Sequence, residues 1–503
     1  STDKDSGENR WAFDINQNND IYIYIEKNKS YTDKEAINHI LIDNINVQKN
    51  KEIGTINFYR PNKAEQGGTF ANTEENLIQN IEYKGTLESN LKKLEIANQG
   101  GIVVFRYAND KVAEYTSNDE VINHNELLKK ANVNEPKLAG NMKPIKYVGA
   151  EANTQTGSKW ANAMTTDGSM WVWLPRYAYK ITEGYHTNVA GTIEVAFIDT
   201  NNKFLNGETG EITTNPEEEG AGLTKWLVHP AFTANAEAGG GFGEIPGIWV
   251  GKFEATGTYS NGDASKVSVK PGVQSLRSMT INDQYKAGKN ATYGESVNLN
   301  SHMAKNSEWG ATVYLAHSKY GTNKQKVEQN KSSSFYTGGT NTVEEIYTTN
   351  KTQSTTHNAT GVYDLNGGAW ERMASYVNNK NENLETYGGT TVGDIYGATE
   401  SEQATSTKYK TVYSSENNQS KDYQMAGKKN RGDAVYETSA SHSNGTGAWF
   451  DASASFPSGD SPFFARGGGY NVANAGTFYS ATAMAVLAAT IRFARCWLLS
   501  TLK

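Results

Sequence analysis

Two carboxylates in one short segment are the first residues with the means to do chemistry. Asp364 and Glu371 lie in Gly361-Val362-Tyr363-Asp364-Leu365-Asn366-Gly367-Gly368-Ala369-Trp370-Glu371. A pair of acids can divide the roles of proton donor and base, as in a glycosidase. The competing reading is structural: Gly367-Gly368 would serve a tight turn that tolerates no side chains, and Trp370 would anchor the core. A thiol nucleophile is offered only by Cys496, the one cysteine of the chain, set in Phe493-Ala494-Arg495-Cys496-Trp497. That setting reads as a terminal core strand with a buried, inert thiol. The eight histidines, His39, His124, His186, His229, His302, His317, His357 and His442, are scattered, with no HExxH or other zinc spacing. No G-x-S-x-G, phosphate-binding loop or dinucleotide fingerprint is present.

Charge narrows the partners. Lys and Arg total 48 against 55 Asp and Glu, a net of −7, which argues against nucleic acid because phosphate binding needs a basic face. The short cluster Lys428, Lys429 and Arg431 reads as a solvated loop. Hydrophobic residues are only 37% of the chain, but 10 Trp, 28 Tyr and 16 Phe supply enough area to anchor a core with long polar loops. One cysteine excludes an intrachain disulfide. The longest apolar stretch, Ala481 to Ile491, falls far short of the ~20 residues a bilayer requires. The chain begins at Ser1 without Met, so membrane attachment is expected only through a segment absent from this chain.

The elements that must position these residues fall into two parts, since 503 residues are too many for one ordinary domain. Residues 1–138 read as an all-β, β-sandwich-like module. Its strands are expected at Ile21–Ile25, Ile40–Val47, Ile53–Tyr59 and Gly101–Tyr107, with Asn- and Gly-containing turns between them and a short helix over Asn125–Ala131. No chemistry is visible in it, and a stalk or display scaffold is the expected role. A linker, Glu135-Pro136 to Pro144, leads into residues 139–503, where Trp and Gly rise and short strands alternate with polar loops. Two stretches, 323–358 and 378–447, are dominated by Ser, Thr, Asn, Lys and Tyr and are expected as functional loops or as a rim.

Five segments then occur in one order: Ser169-Met170-Trp171-Val172-Trp173-Leu174-Pro175-Arg176-Tyr177; Gly247-Ile248-Trp249-Val250-Gly251-Lys252-Phe253-Glu254-Ala255-Thr256; Asn306-Ser307-Glu308-Trp309-Gly310-Ala311, opening a helix through Tyr314, Leu315 and Ala316; the Gly361–Glu371 segment; and Phe463-Phe464-Ala465-Arg466-Gly467-Gly468-Gly469-Tyr470 with an ending at Arg492 to Cys496. On the helix, Trp309 is expected in the core and Glu308 as a cap or local ion-pair partner. Together these segments resemble the formylglycine-generating-enzyme (sulfatase-modifying) superfamily over about residues 145–503. The resemblance implies a decorated α+β C-type lectin fold. It also accounts for Asp364 and Glu371 as parts of a family turn. Enzymes of that family bind calcium at the turn through backbone carbonyls and a glutamate. The matching positions are Asn366, Gly367, Ala369 and Glu371, and hard oxygen ligands are what Ca²⁺ prefers. Gly368 stands where the family usually has Asn, and a turn needing no ion is the alternative. The family's activity uses a pair of cysteines that bind copper; one cysteine cannot supply it, so the chain is expected not to be an enzyme.

The C-terminus points to another use of the fold. From Ala465 to Arg495 there is no Lys, Trp, Gln or Glu, and Met484 is the one methionine. Here the chain resembles the variable proteins of diversity-generating retroelements, which place a hypervariable stretch at the extreme C-terminus of a C-type lectin fold; the resemblance implies adenine-directed mutagenesis of Asn codons, to which Met484 is the single exception. The resemblance implies a displayed ligand-binding protein on an extracellular cell surface, or alternatively at a phage tail tip, with residues 463–497 as the variable region and an unidentified protein or glycan as ligand. Within it, Arg466-Gly467-Gly468, Asn474-Ala475-Gly476 and Phe478 read as fixed scaffold. Ala465, Gly469, Tyr470, Val472, Ala473, Tyr479, Ala481, Ala483, Ala485, Leu487 and Ala488 are the expected ligand contacts, sharing one exposed face, with Tyr470, Phe478 and Tyr479 giving most of the anchoring area. An apolar helix or buried strand over Ala481–Ala489 is the competing reading. So are a surface module that binds carbohydrate or plays a structural part without diversification, and a residual enzyme of the formylglycine-generating type.

Overall fold

The computed structural model describes residues 136–145 apart from 139, 159–205, 207–214, 225–297, 299–339, 347–392, 405–414, 431–440 and 446–483, together with strands between 11 and 107 and at 489–491 and 493–496. The molecule is built mostly of β-sheet with few helices. The chain divides into two compact units, 1–119 with 143–150 and 120–142 with 151–503. Against the expected single boundary at 138/139, the chain passes between the units three times, at 119/120, 142/143 and 150/151. The physical reason lies in the second unit: Trp249 Nε1 donates to Lys137 O (2.8 Å) and Asn141 N donates to Glu295 Oε2 (2.6 Å), which pins the expected linker onto it.

In the first unit one sheet runs in the order Trp11–Ile15, Ile21–Ile25, Glu52–Tyr59, Leu77–Thr86, and another in the order His39–Ile45, Leu91–Gln99, Ile102–Tyr107. The four strands legible from β-branched and aromatic runs are present. Leu77–Thr86 and Leu91–Gln99 escaped that reading because Gln, Asn, Glu and Lys interrupt their apolar residues. The helix expected at Asn125–Ala131 lies outside the described residues.

In the second unit, strands Ser301–Met303, Phe493–Cys496, Gly247–Gly251, Met170–Pro175 and Asn162–Met164 neighbour one another in that order. Met170–Pro175 and Gly247–Gly251 are buried throughout, which is why they read as near-continuous apolar runs rather than alternating ones. Trp173 pairs with Trp249 across the sheet, ring centroids 5.2 Å apart. A second sheet orders Thr192–Phe197, Tyr177–Glu183, Trp226–Val228 and Ile212–Thr213. A third carries the candidate site: Thr411–Ser414, Trp370–Asn378, Phe463–Gly467, Gly476–Ala483, Ser453–Ala454 and Thr446–Gly447, with Ala489–Ile491 also pairing on Trp370–Asn378. Stretch 378–447, expected as one long loop, thus contains the helix Glu382–Val392 and the strand Thr411–Ser414. Of the competing reading over Ala481–Ala489, an apolar helix or a buried strand, residues 481–483 form a strand.

Helix Asn306–His317 follows the expected bounds, and all twelve of its residues are buried. Trp309 is 1% exposed and its indole N–H donates to Thr477 O (2.8 Å). Glu308 takes the expected pairing role, accepting from Lys305 N (2.8 Å) and facing His302 Nε2 (2.8 Å). Burial by itself would raise its carboxyl, but His302 and Lys305 outweigh it and hold the group below the usual range. No helix among the described residues is long and apolar enough to cross a membrane.

Gly310 is the point of closest approach on this helix: a methyl group built there would overlap the Gly432 carbonyl. Gly to Ala in a helix interior ordinarily stabilises by roughly 0.5–1 kcal/mol. At this position the sign is expected to reverse. Gly310→Ala should lower the midpoint of chemical denaturation, and an unchanged or raised midpoint would show that the two backbones can separate without loss.

Candidate functional site

The Gly361–Glu371 segment packs as a turn among three other parts of the chain. Gly367 and Gly368 have φ of 84° and 66°, the left-handed region where a Cβ is strained. Asn330 brackets them, its N–H donating to Asn366 O (2.7 Å) and its C=O accepting from Gly368 N (2.9 Å). Ala369 N donates to Glu254 Oε1 (2.8 Å), and Ser275 Oγ donates to Glu254 Oε2. Asp364 accepts from Asn330 Nδ2 (2.9 Å) and Gly338 N (2.9 Å). Asp364 is 1% exposed and Glu371 0%, a depth that supports the turn reading over an acid–base pair open to substrate. Burial, then Asp364 and Glu371, drive the Glu254 carboxyl well above the usual range, which favours its protonated form.

The same turn contains oxygen donors of the kind calcium takes. Asn366 Oδ1 is buried with no hydrogen-bond partner among the described residues, and Asn366 C=O keeps a lone pair beside the one given to Asn330. Among the described residues no group of three His, Cys, Asp or Glu is placed to hold a metal. An ion would therefore rest chiefly on carbonyl and amide oxygens around Glu371.

The C-terminal hairpin is fastened to this turn through backbone atoms. Gly367 N donates to Gly467 O (3.2 Å) and Tyr470 N to Gly368 O (2.8 Å). Gln329 Nε2 donates to both Gly469 O (3.0 Å) and Val472 O (2.9 Å). The residues expected as scaffold include those that hold the hairpin from beneath. Arg466 is fully buried, donates through Nη2 to Ala434 O (2.7 Å) and lies 5.6 Å over the Trp309 ring. Phe478 packs against His317 at 5.0 Å and Trp449 at 5.4 Å. A side chain at Gly468 would meet Ala475 Cβ at 2.6 Å.

The expected contact residues do not share one exposed face. Ala473 is exposed, and Tyr470, Val472 and Ala481 are half-buried. Ala465, at 1% exposure, sits in the central strand paired with Arg372 and Ala481. Tyr479 is 7% exposed, and its burial raises the phenol pKa. Gly469 is buried against Trp370, whose Nε1 would lie 2.9 Å from an added Cβ. The face narrows to the loop 470–474 and Ala481. Ala483 ends the strand Gly476–Ala483; Ala485, Leu487 and Ala488 lie outside the described residues. Trp370, expected as a core anchor, is half-buried and borders this loop.

Three further groups were not legible as parts of the site. Gln329, Phe335 and Arg277 come from segments with no motif, and only the fold sets them beside the loop. Arg431, expected in a solvated loop, is 5% exposed. It belongs to a buried polar segment, 431–440, centred on Glu437, which accepts from Tyr314 OH (2.7 Å), Tyr179 OH (3.0 Å) and Gly432 N (2.7 Å). Burial raises the Glu437 carboxyl, and Arg431 is among the groups that oppose the shift. Asp433 accepts from Tyr413 OH (2.8 Å). His229 donates from Nε2 to Gly432 O (2.9 Å), and burial pushes its pKa down to about 3, so the ring is neutral. Lys428 and Lys429 lie outside the described residues.

No family model matches the chain, and no curated protein matches it.

The buried Asp433 carboxyl gives a test of this network. Burial, opposed by Tyr413 and Arg466, pushes its pKa up from 3.8 to about 7. The folded state therefore holds this proton more tightly than the unfolded state. The contribution to stability is fully present below 3.8 and is lost as pH rises through about 7. Stability measured by denaturant from pH 4 to 8 should shift in favour of Asp433→Asn, relative to the parent, as pH rises across that window. A difference that stays flat would mean that Asp433 titrates alike in both states.

Proposed function

We propose that the chain is a non-catalytic, surface-displayed ligand-binding protein of the C-type lectin type, diversified at its C-terminus by a retroelement. The observation that carries the reading is how the loop 468–475 is held. Its fastenings run through backbone carbonyls and amides to Gln329 and Gly368, while Tyr470, Val472 and Ala473 reach the surface. Such a loop can change side chains without losing what positions it, and a rigid loop loses less entropy on binding. The compositional break from Ala465 to Arg495 supports the same reading. An extracellular location and a protein or glycan ligand follow from that role. Display of many copies would offset a weak single contact. The absence of a second cysteine supports a role without formylglycine chemistry.

A substitution scan over 465–483 with folding and binding scored separately tests the proposal. Asn, Ser or Asp at Val472, Ala473 and Ala481 should change stability by no more than about 0.5 kcal/mol while altering binding. Phe478→Ala should cost about 3–5 kcal/mol through the cavity left behind. Uniform intolerance at Val472 and Ala473 would end the hypervariable reading.

Calcium, where bound, would be held by Asn366, Gly367, Ala369 and Glu371 and would offset the charge buried with Glu371. Its chemistry here is structural, tying the turn that the hairpin rests on. A chelator should then lower the melting temperature and excess calcium should restore it, since a ligand bound only to the folded state stabilises by mass action. Identical melting in both conditions would count against the ion and leave the loop reading intact.

A further inference from the structure

A second binding element stands beside the loop, and it lies outside the C-terminal segment. The Arg277 guanidinium lies 3.9 Å over the ring of Phe335. Phe335 meets Tyr470 edge-on, with centroids 5.1 Å apart. All three residues are half-buried.

Their positions are set by the backbone. Phe335 has φ of 60°, a left-handed conformation that is an outlier for a bulky residue. Ser275 N donates to Phe335 O (3.0 Å), and Phe335 N donates to Ser332 O (3.0 Å), which hold it there. Tyr470 is fixed by its own N–H on Gly368 O. Arg277 forms no ion pair among the described residues, and its Nε has no hydrogen-bond partner among them. A guanidinium held over an aromatic ring, with its Nε buried and no ion pair among the described residues, can offer its Nη groups to a carboxylate through charge-assisted hydrogen bonds. The stacking removes part of the ordering cost that a free arginine would bear.

We propose that Arg277, backed by Phe335 and Tyr470, is a fixed anchor for a carboxylate-bearing peptide segment of the ligand, constant while the loop beside it varies. The inference rests on the reading of the loop 468–475 as the ligand-binding face. Arginine and tyrosine with an aromatic support are the residue types that dominate binding energy at protein interfaces. The whole chain carries a net −7, so an acidic ligand gains nothing from the general field of the molecule. Attraction must be local, and Arg277 supplies it.

The probe is an N-acetylated tetraglutamate amide, compared with the tetraglutamine amide, titrated into the full chain by calorimetry. The acidic peptide should bind and the amide peptide should not. Arg277→Gln should weaken binding roughly tenfold or more, the scale of one lost charge-assisted contact. Arg277→Lys should recover only part of the loss, because an ammonium keeps the charge without the planar fork. Phe335→Leu should weaken binding while the melting temperature of Arg277→Gln stays at the parental value. Equal affinity for the two peptides, no binding of either, or indifference to Arg277→Gln overturns the proposal. Binding of sialyllactose through Arg277 with no peptide binding also overturns it, in favour of an acidic glycan. The loop reading fails separately: substitutions at Val472 and Ala473 would then leave the binding of every selected ligand unchanged.

Discussion

A helix with no face to water governs the second unit. Most helices in globular proteins keep a polar stripe in solvent, where charged side chains cost nothing to place. Asn306–His317 has none, so every polar group it carries must find a partner inside. Glu308 is met by His302 and by the Lys305 amide, and Lys305 Nζ donates to Gly240 O (2.6 Å). Thr312 Oγ1 returns to Glu308 O (2.9 Å), and the helix accepts from Tyr177 OH at Ala311 O (2.7 Å). His317 meets Thr477 Oγ1 (2.9 Å), and burial holds its pKa near about 3, so it enters the core without charge. Gly240, Tyr177 and Thr477 lie on three different stretches of chain, and the helix fixes their relative positions by requiring all of them.

The same requirement explains why the C-terminal hairpin has a rigid underside. Trp309 and His317 both reach Thr477, while Phe478 stacks beside His317. One strand residue further from the loop on the other arm, Arg466 enters the core and ties down the segment 431–440 through Ala434 O. That segment in turn supplies Glu437, whose carboxylate accepts from Tyr179 and Tyr314, the latter on the helix. A carboxylate taken out of water costs several kcal/mol unless its lone pairs are met. A closed ring of donors meets them here, so stability and the placement of the hairpin share one polar network.

Sequence and structure agree where burial and chemistry point the same way. Trp309 reads as core because large apolar surface has one destination. The Asn306–His317 helix and the Gly367-Gly368 turn read correctly because local sequence sets their geometry. The polar stretches read less well. Asn330, Ser332, Thr355, Thr356 and Asn358 are all at or below 1% exposure, although their composition suggests a solvated rim. They are buried because hydrogen bonds satisfy them: Asn358 O takes Ser354 Oγ (2.6 Å), and Asn330 Nδ2 donates to Asp364 Oδ1 (2.9 Å). The second pairing spans 34 positions, and no short window of sequence contains it. Arg431 and Gln329 were illegible for that reason.

Geometry also decides where a variable surface can vary. A loop held by its carbonyls tolerates new side chains only where a Cβ already points into open space. Ala473 meets that condition, being exposed, and half-buried Val472 is held by its backbone, Gln329 gripping Gly469 O and Val472 O. Gly469 does not, because a side chain there would press on the Trp370 indole. Ala465 does not either, lying in the middle of a strand with neighbours on both sides. A mutational process that acts on every permissive codon would reach all four positions alike; the fold would retain only the outcomes that leave Gly469 and Ala465 small. Small residues inside such a segment are then marks of backbone contact as much as of chance.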